Sequence, residues 1–506
     1  MAEPIPLPRD RAVLVIGAGT MGSGIAEVAA AAGHLVYLSD TGAAAIDRGL
    51  GLVRSSLERR VQRGKLTAGE RDAVLARLRP GLPDGSWDAI GLAIEAICED
   101  LEAKVSVFAA LADRLPPDAI LATNTSSLSV TALAGRLGRP ERVVGMHFFN
   151  PAPTLPLVEV VSGHATSPQV AAVTAATARA WGKTPVACRS TPGFIVNRVA
   201  RPFYGEALRL LQEQAAGPAT LDAVMRECGG FRMGPCELMD LIGHDVNFAV
   251  TRSVYEAFFQ DARYKPSLVQ KDLVDAGWLG RKSGRGFFDY AEEAAPVRAE
   301  EFAGGPPPGA VCIEGDLGPA QALAGLIAAC PGLAVERRPG DGLLRVDGLA
   351  LALSDGRTAT ERAGILGEPV VLFDLALDYA DCSRVALAAS QHAGEAGVAR
   401  AAGLFAALGK RVSVLADVPG MAVMRTVSML VNEAAEALYQ GVASEEDVDA
   451  AMCMGVNYPL GPLAWGRRIG LPLVLQALRH LSSTYAEDRY RACVWLQRAV
   501  QAEGSA

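Results

Sequence analysis

One short run near the start constrains the fold of this chain more than any other: Gly17-Ala18-Gly19-Thr20-Met21-Gly22. The apolar segment Ala12–Ile16 before it reads as a buried strand. Residues 20–32 after it are Ala-rich and helix-prone, with Gly33 placed to stop the helix. Residues 35–38 read as a second strand that ends at Asp40. A GxGxxG alone is a weak signal. Set between a strand and a helix, with an acid at the tip of the next strand, it reads as the turn of a dinucleotide-binding unit. Gly17 permits the tight turn, Gly19 lets the backbone approach a pyrophosphate, and Gly22 lets the helix lie close to the sheet. The helix start at Thr20 and Met21 offers free N–H groups to the phosphates. Asp40 is placed to accept hydrogen bonds from a ribose 2′-hydroxyl and to repel a 2′-phosphate. No Arg occurs in residues 41–47, so NAD is favoured over NADP. The competing reading is a glycine-rich turn in some other α/β protein.

Further apolar runs at 89–97, Ile120–Thr123 and 143–146 alternate with helix-prone stretches, which indicates a parallel sheet covered on both faces. A basic insertion, expected as a helical hairpin at about 43–80, interrupts the alternation. From residue 192 to 280 the pattern becomes helical, with long stretches at 194–212 and 245–259. Residues 291–309, rich in Glu, Ala, Gly and Pro, suit a linker. The chain then repeats itself. WGKTPVACRSTPGFIVNR (181–198) aligns with LGKRVSVLADVPGMAVMR (408–425), and Gly234-Pro235 with Gly461-Pro462, all at one offset of 227 residues. The expected architecture is an α/β Rossmann-type NAD-binding domain (1–190) and an all-α domain (191–290). A degenerate repeat of both follows, as a shrunken Rossmann-like domain (310–417) without GxGxxG and a second helical domain (418–506).

Composition removes several function classes. The 506 residues carry a net charge of −8, which gives no reason to expect a nucleic-acid partner. No apolar run is long enough for a membrane span. The first residues run straight into a strand rather than forming a signal peptide, so the expected location is the cytoplasm. Nine scattered cysteines without CxxC spacing argue against disulfides and structural zinc, and no metal is expected. The charge is uneven, however. Residues 48–79 hold nine Lys/Arg against three Asp/Glu, either a solvated helix face or a landing site for a phosphate-rich small molecule.

A nicotinamide cofactor that oxidises an alcohol needs a base for the hydroxyl proton. His147 ends a strand within MHFFNP, at the sheet edge where ligands bind. Glu159 follows in the apolar stretch LPLVEVVSG, where a carboxylate needs a partner. If Glu159 turns to His147 it fixes the tautomer and stabilises the imidazolium. A core histidine and a solvent-facing edge glutamate are the bland alternatives. Turn chemistry explains Ser126 in NTSS equally well, and helix capping explains Asn197.

The first 290 residues resemble L-3-hydroxyacyl-CoA dehydrogenase, the NAD-dependent enzyme of fatty-acid β-oxidation. GAGTMGSGIA, EAICEDLEAK, NTSSLSVT, GMHFFNPAP, LVEVV, TPGFIVNR and GRKSGRGFF occur in order at family-like spacing. The resemblance implies His147 as general base, Glu159 as its partner, Ser126 on the substrate oxygen, and Asn197 completing the site. On the cofactor side it implies Glu99, Lys104, Asn150 and Lys282. It also implies that the acyl-CoA substrate meets Ser56 and Arg63 in the basic hairpin, with Arg where the family has Lys. The tandem length resembles bacterial 3-hydroxybutyryl-CoA and 3-hydroxyadipyl-CoA dehydrogenases, the latter from phenylacetate catabolism. In the second half Asn197 is replaced by Met424, so one active site per chain is expected. The second helical copy is expected either to mimic internally the family's pairing of helical domains or to leave room for a homodimer. The rival functions are a 3-hydroxyacid dehydrogenase acting on free acids and a non-catalytic NAD-binding scaffold.

Overall fold

The computed structural model describes residues 4–85 and 87–503. The outermost residues of the expected first and last domains, 1–3 and 504–506, lie outside that range. The chain divides into two units. The first reaches to Arg198 and includes Gln440–Val456; the second holds Val199–Tyr439 and the chain from Asn457 onward.

The first unit is built on β1 (Ala12–Ile16), α1 (Thr20–Ala31), β2 (Val36–Ser39), α2 (Ala43–Gln62), α3 (Ala68–Leu75), β3 (Leu78–Pro80), β4 (Ile90–Glu95) and α4 (Leu101–Ala112). It continues with β5 (Ile120–Thr123), α5 (Val130–Ala134), β6 (Val143–Phe148), β7 (Leu157–Ser162), α6 (Pro168–Ala180) and β8 (Thr184–Arg189). The sheet order is β3-β2-β1-β4-β5-β6-β7-β8. Strands β1–β6 run parallel, β7 is antiparallel to β6, and β8 is parallel to β7. The run IGLAIE of β4 is buried throughout, as expected of a strand covered on both faces. Strand order reverses between β1 and β4, and the glycine turn lies at that crevice. Helices α2 and α3 form the hairpin, and its last residues join the sheet as β3 beside β2.

Helix Glu445–Val456 belongs to this unit although it falls within the second repeat. Its approach supplies an acceptor for the edge strand, with the Arg189 N–H donating to Val442 O at 2.8 Å. Gly455 leaves space for the side chains of Leu157 and Val196, where a Cβ would stand 2.6 and 3.2 Å away.

The second unit holds a seven-stranded mixed sheet of β9 (Ala310–Gly315), β10 (Ala334–Arg338), β11 (Asp341–Val346), β12 (Leu349–Leu353), β13 (Val370–Phe373), β14 (Arg384–Ala389) and β15 (Arg411–Val414). Around it pack helices of both helical copies. Helix Arg201–Gln212 lies against its repeat counterpart Val423–Tyr439. The contact is reciprocal. Glu206 accepts from Arg489 and Tyr490, while Glu433 accepts from Arg263 and Tyr264. The expected linker is tied down in its second half: the Phe302 N–H donates to Val412 O, and the Gly305 N–H to Ala399 O.

Candidate active site

The cofactor turn has the steric signature its sequence suggested. Gly17 has φ +103°, and a Cβ there would stand 2.4 Å from Ala96 O. At Gly22 a Cβ would stand 1.8 Å from Gly17 O, so the helix lies directly on the turn. Around Gly19 nothing comes within 4 Å of the Cβ position, leaving the face open for a ligand. Thr20 and Met21 begin α1. Asp40 Oδ2 accepts from the Ala18 N–H at 2.7 Å and Oδ1 from the Thr41 N–H at 2.7 Å. The Ala18 bond is the main reason its carboxyl sits below the usual range; desolvation opposes it and Thr41 adds to it. The carboxylate is therefore ionised, oriented and partly open, which suits a ribose hydroxyl.

His147 and Glu159 are register partners across β6 and β7. Their side chains meet, with His147 Nδ1 2.6 Å from Glu159 Oε2. Glu159 is not on the edge, because β8 lies outside it, and it is fully buried. Its other oxygen accepts from the backbone N–H groups of Ile195 and Val196 at 3.0 and 2.9 Å. A carboxylate has only acceptors to offer, so Nδ1 must carry the proton and Nε2 is left as the basic nitrogen. Phe149 and Phe194 wall the imidazole, with ring centroids 4.5 and 5.9 Å away.

Glu159 holds Ile195 and Val196, and the next residue is Asn197, whose Nδ2 donates to Ser126 O at 3.4 Å. The Ser126 turn is gathered by Glu99. Oε1 of that acid accepts from Thr125 Oγ1 at 2.6 Å, from the N–H groups of Ser126 and Ser127 at 2.9 and 3.1 Å, and from Ser127 Oγ at 2.8 Å. Burial pushes the Glu99 carboxyl up, but these bonds and the Lys104 charge outweigh it and hold it below its ordinary value. Lys104 is buried between Glu95 Oε1 at 2.6 Å and Glu99 Oε2 at 3.3 Å, so it steadies Glu99 rather than facing a ligand. Glu95, which also accepts from Thr123 Oγ1 at 2.7 Å, is the residue sequence reading missed. Its signal was the same as that of Glu159: an acid inside an apolar strand.

Ser56 and Asn150 line one small cleft of about 120 Å³, together with Thr20, Ser23, Arg59 and Pro153. Arg63 caps α2 and is exposed outside that lining. Lys282 belongs to the second unit, where its ammonium lies 2.5 Å from Asp245 Oδ1. Among the described residues no cluster of His, Cys, Asp and Glu could hold a metal ion, and no helix is long and apolar enough to cross a membrane.

The offset that aligns 181–198 with 408–425 also carries back into the expected shrunken Rossmann-like domain. At the same offset of 227, β6, β7, α6 and β8 correspond to β13, β14, helix Gly394–Ala407 and β15. His147 becomes Asp374 and Glu159 becomes Ala386. Asp374 accepts from the N–H groups of Ala422, Val423 and Met424, the counterparts of residues 195–197. The second copy keeps the buried acid that seats the following helix, and lacks the imidazole.

An acid-tipped βαβ crevice with an imidazole–carboxylate pair at the carboxyl end of β6, followed by a helical domain, defines an NAD-binding oxidoreductase of the Rossmann type. Residues 12–191 match the family model for the 3-hydroxyacyl-CoA dehydrogenase NAD-binding domain, and 193–290 and 420–505 match that family's C-terminal domain. The chain belongs to the 3-hydroxyacyl-CoA dehydrogenase family. Residues 351–419 match the 3-hydroxybutyryl-CoA dehydrogenase reduced Rossmann-fold domain. The chain is 46% identical over 493 residues to 3-hydroxyadipyl-CoA dehydrogenase of Escherichia coli K12, covering 97% of this chain and 98% of that protein. A probable 3-hydroxybutyryl-CoA dehydrogenase of Bacillus subtilis is 41% identical over 283 residues, 56% of this chain and 98% of the relative. The crystal structure of 3-hydroxybutyryl-CoA dehydrogenase from Escherichia coli K12 superposes with a TM-score of 0.89 at 45% identity, over 99% of this chain and all of that one.

Proposed function

We propose that this chain reversibly oxidises an L-3-hydroxyacyl-CoA to the 3-ketoacyl-CoA with NAD⁺, and that His147 is the general base. The observation that carries the proposal is the 2.6 Å bond from His147 Nδ1 to the buried Glu159, at the carboxyl end of β6 in a sheet whose glycine turn suits a dinucleotide. Bound NAD⁺ supplies the hydride acceptor. Nε2 of His147 takes the hydroxyl proton, and Glu159 stabilises the imidazolium that results. Ser126 and Asn197 hold the substrate oxygen and the thioester end. Gly17, Gly19, Thr20, Met21 and Gly22 cradle the diphosphate, and Asp40 takes the ribose hydroxyls. Glu99 and Asn150 border the nicotinamide side, with Lys104 positioning Glu99. Ser56 and Arg63 meet coenzyme A, and Lys282 is assigned to the cofactor by resemblance alone. The names of the relatives favour a short acyl group, with or without a terminal carboxylate, and the setting implied is cytoplasmic.

The test is NADH oxidation followed with acetoacetyl-CoA, 3-oxoadipyl-CoA and free acetoacetate. Turnover of a thioester and not of the free acid is expected. Equal turnover of free acetoacetate, or no turnover of any thioester, would overturn the reading.

A further inference from the structure

The small cleft lined by Ser56 and Arg59 adjoins a second one. The two share Glu27 and Pro153 in their walls. The second cleft has a volume of about 390 Å³ and carries three cations, Arg9, Arg60 and Lys183, against one acid, Glu27. The acid is already used: Glu27 is buried and pairs with Arg60 at 3.1 Å. Lys183 donates to Ala152 O at 2.5 Å and Leu155 O at 2.9 Å, clamping the loop that walls both clefts, and one ammonium proton remains. Arg9 is exposed in the lining. Along α2, Ser56, Arg59, Arg60 and Arg63 follow helical spacing i, i+3, i+4 and i+7, so they share one side of the helix. From Ser56 to Arg60 the rise is about 6 Å. An extended ligand that passes Ser56 in the narrow cleft is thus led into a wider one with a surplus of positive charge.

We propose that the wider cleft is a phosphate subsite in which Arg9 and Arg60 contact the phosphate groups at the nucleotide end of the acyl-CoA, with Lys183 holding the wall. The proposal rests on the acyl-CoA reading given above. It differs from a hairpin-only site in enlisting a residue shortly before β1 and the residue before β8. Two phosphate sources share this chemistry, the 3′-phosphate and the diphosphate of coenzyme A, and the substrates used in the test separate them.

The experiment compares acetoacetyl-CoA, acetoacetyl-3′-dephospho-CoA and acetoacetyl-pantetheine in the wild type, in Arg9→Ala, and in the double variant Arg60→Met/Glu27→Gln. The double change removes the ion pair as a unit, so that neither Glu27 nor Arg60 is left charged without the other. Wild type is expected to prefer the CoA thioester in KM by about tenfold over whichever truncated substrate lacks the recognised phosphate, the scale of a charge-assisted contact. Both variants should shrink that preference several-fold, with kcat changed less than KM. Loss at the dephospho step assigns the 3′-phosphate, and loss only at the pantetheine step assigns the diphosphate. Variants that keep the wild-type preference would overturn the subsite. Calorimetric binding of CoA and 3′-dephospho-CoA to the same proteins tests the subsite even if wild type turns over no thioester, an outcome that would count against the functional reading instead.

Discussion

At the scale of single residues, the candidate site is a connected path. Buried Glu95 holds Lys104, Lys104 holds Glu99, and Glu99 gathers the Ser126 turn. Asn197 meets that turn, and Glu159 binds both the residues before Asn197 and the imidazole of His147. His147 is thus held by Glu159 and the Ser126 turn by Glu99, which limits the motion available at the reacting atoms. Replacing His147 by Gln keeps a side chain of similar reach and removes the proposed base. The expected result is a fall in kcat of about 10²–10⁴, with the NADH dissociation constant, read by fluorescence, little changed. Near-normal turnover would remove His147 from proton transfer. His147 and Glu159 were legible in the sequence because each breaks a local rule: a basic group ends an apolar strand, and an acid sits inside another. Lys104 was legible only as part of a family-like string, and nothing in the string indicated burial. Its position became clear once β4 placed Glu95 beneath it.

At the scale of elements, the repeat separates structural requirements from chemical ones. Both copies carry a Pro-Gly turn with two successive left-handed residues, Gly193 and Phe194 in the first and Gly420 and Met421 in the second. The strain persists where the histidine and asparagine are gone, so it serves the start of the helix. The buried acid persists too, moved from the β7 position to the position equivalent to His147. Burial pushes the Asp374 carboxyl up to about 6, against the pull of N–H groups from Met424, Val423, Ala422 and Leu375. A carboxyl whose folded pKa lies above its unfolded value of 3.8 binds its proton more tightly in the folded state. Its contribution to stability is therefore greatest below pH 4 and declines as pH rises to about 6. Comparing wild type with Asp374→Asn in urea midpoints between pH 4 and 8 isolates this slope from the other acids. The wild-type midpoint minus that of the variant should fall from pH 4 to 6 and then level off. A difference that is flat or rising across that window would contradict the assignment. The motif TPGFIVNR/VPGMAVMR made the helical repeat visible in sequence. The earlier part, from β6 to α6, was expected only as a shrunken α/β copy and not aligned residue by residue, because buried strands and Ala-rich helices keep hydrophobic pattern rather than identity.

At the scale of the whole molecule, the second sheet keeps strands of a Rossmann domain without the features that suit a dinucleotide in the first. Strand β11 is antiparallel to both β9 and β12, so the parallel crevice beside β1 in the first sheet has no counterpart. The turn after β9 reads EGDLG, without the spacing that lets a helix start close over a pyrophosphate. In the second unit both helical copies face each other through matched acids, Glu206 and Glu433, each held by an Arg-Tyr pair from the opposite copy. Equivalent residues exchanging contacts is the pattern of a two-fold interface, here within one chain. Such an arrangement preserves the helical pairing without needing a second catalytic centre. Titration of the purified chain with NADH, followed by energy transfer from tryptophan, should therefore saturate at one equivalent per polypeptide. His147→Gln should keep that equivalent, because it removes the proposed base and leaves the glycine turn. Gly19→Val should lose it, since it adds a branched side chain where the open face of the turn meets a diphosphate. Two equivalents in the wild type, or one surviving in the Gly19 variant, would mean that the second sheet still binds cofactor, and the division of labour between the repeats would have to be redrawn.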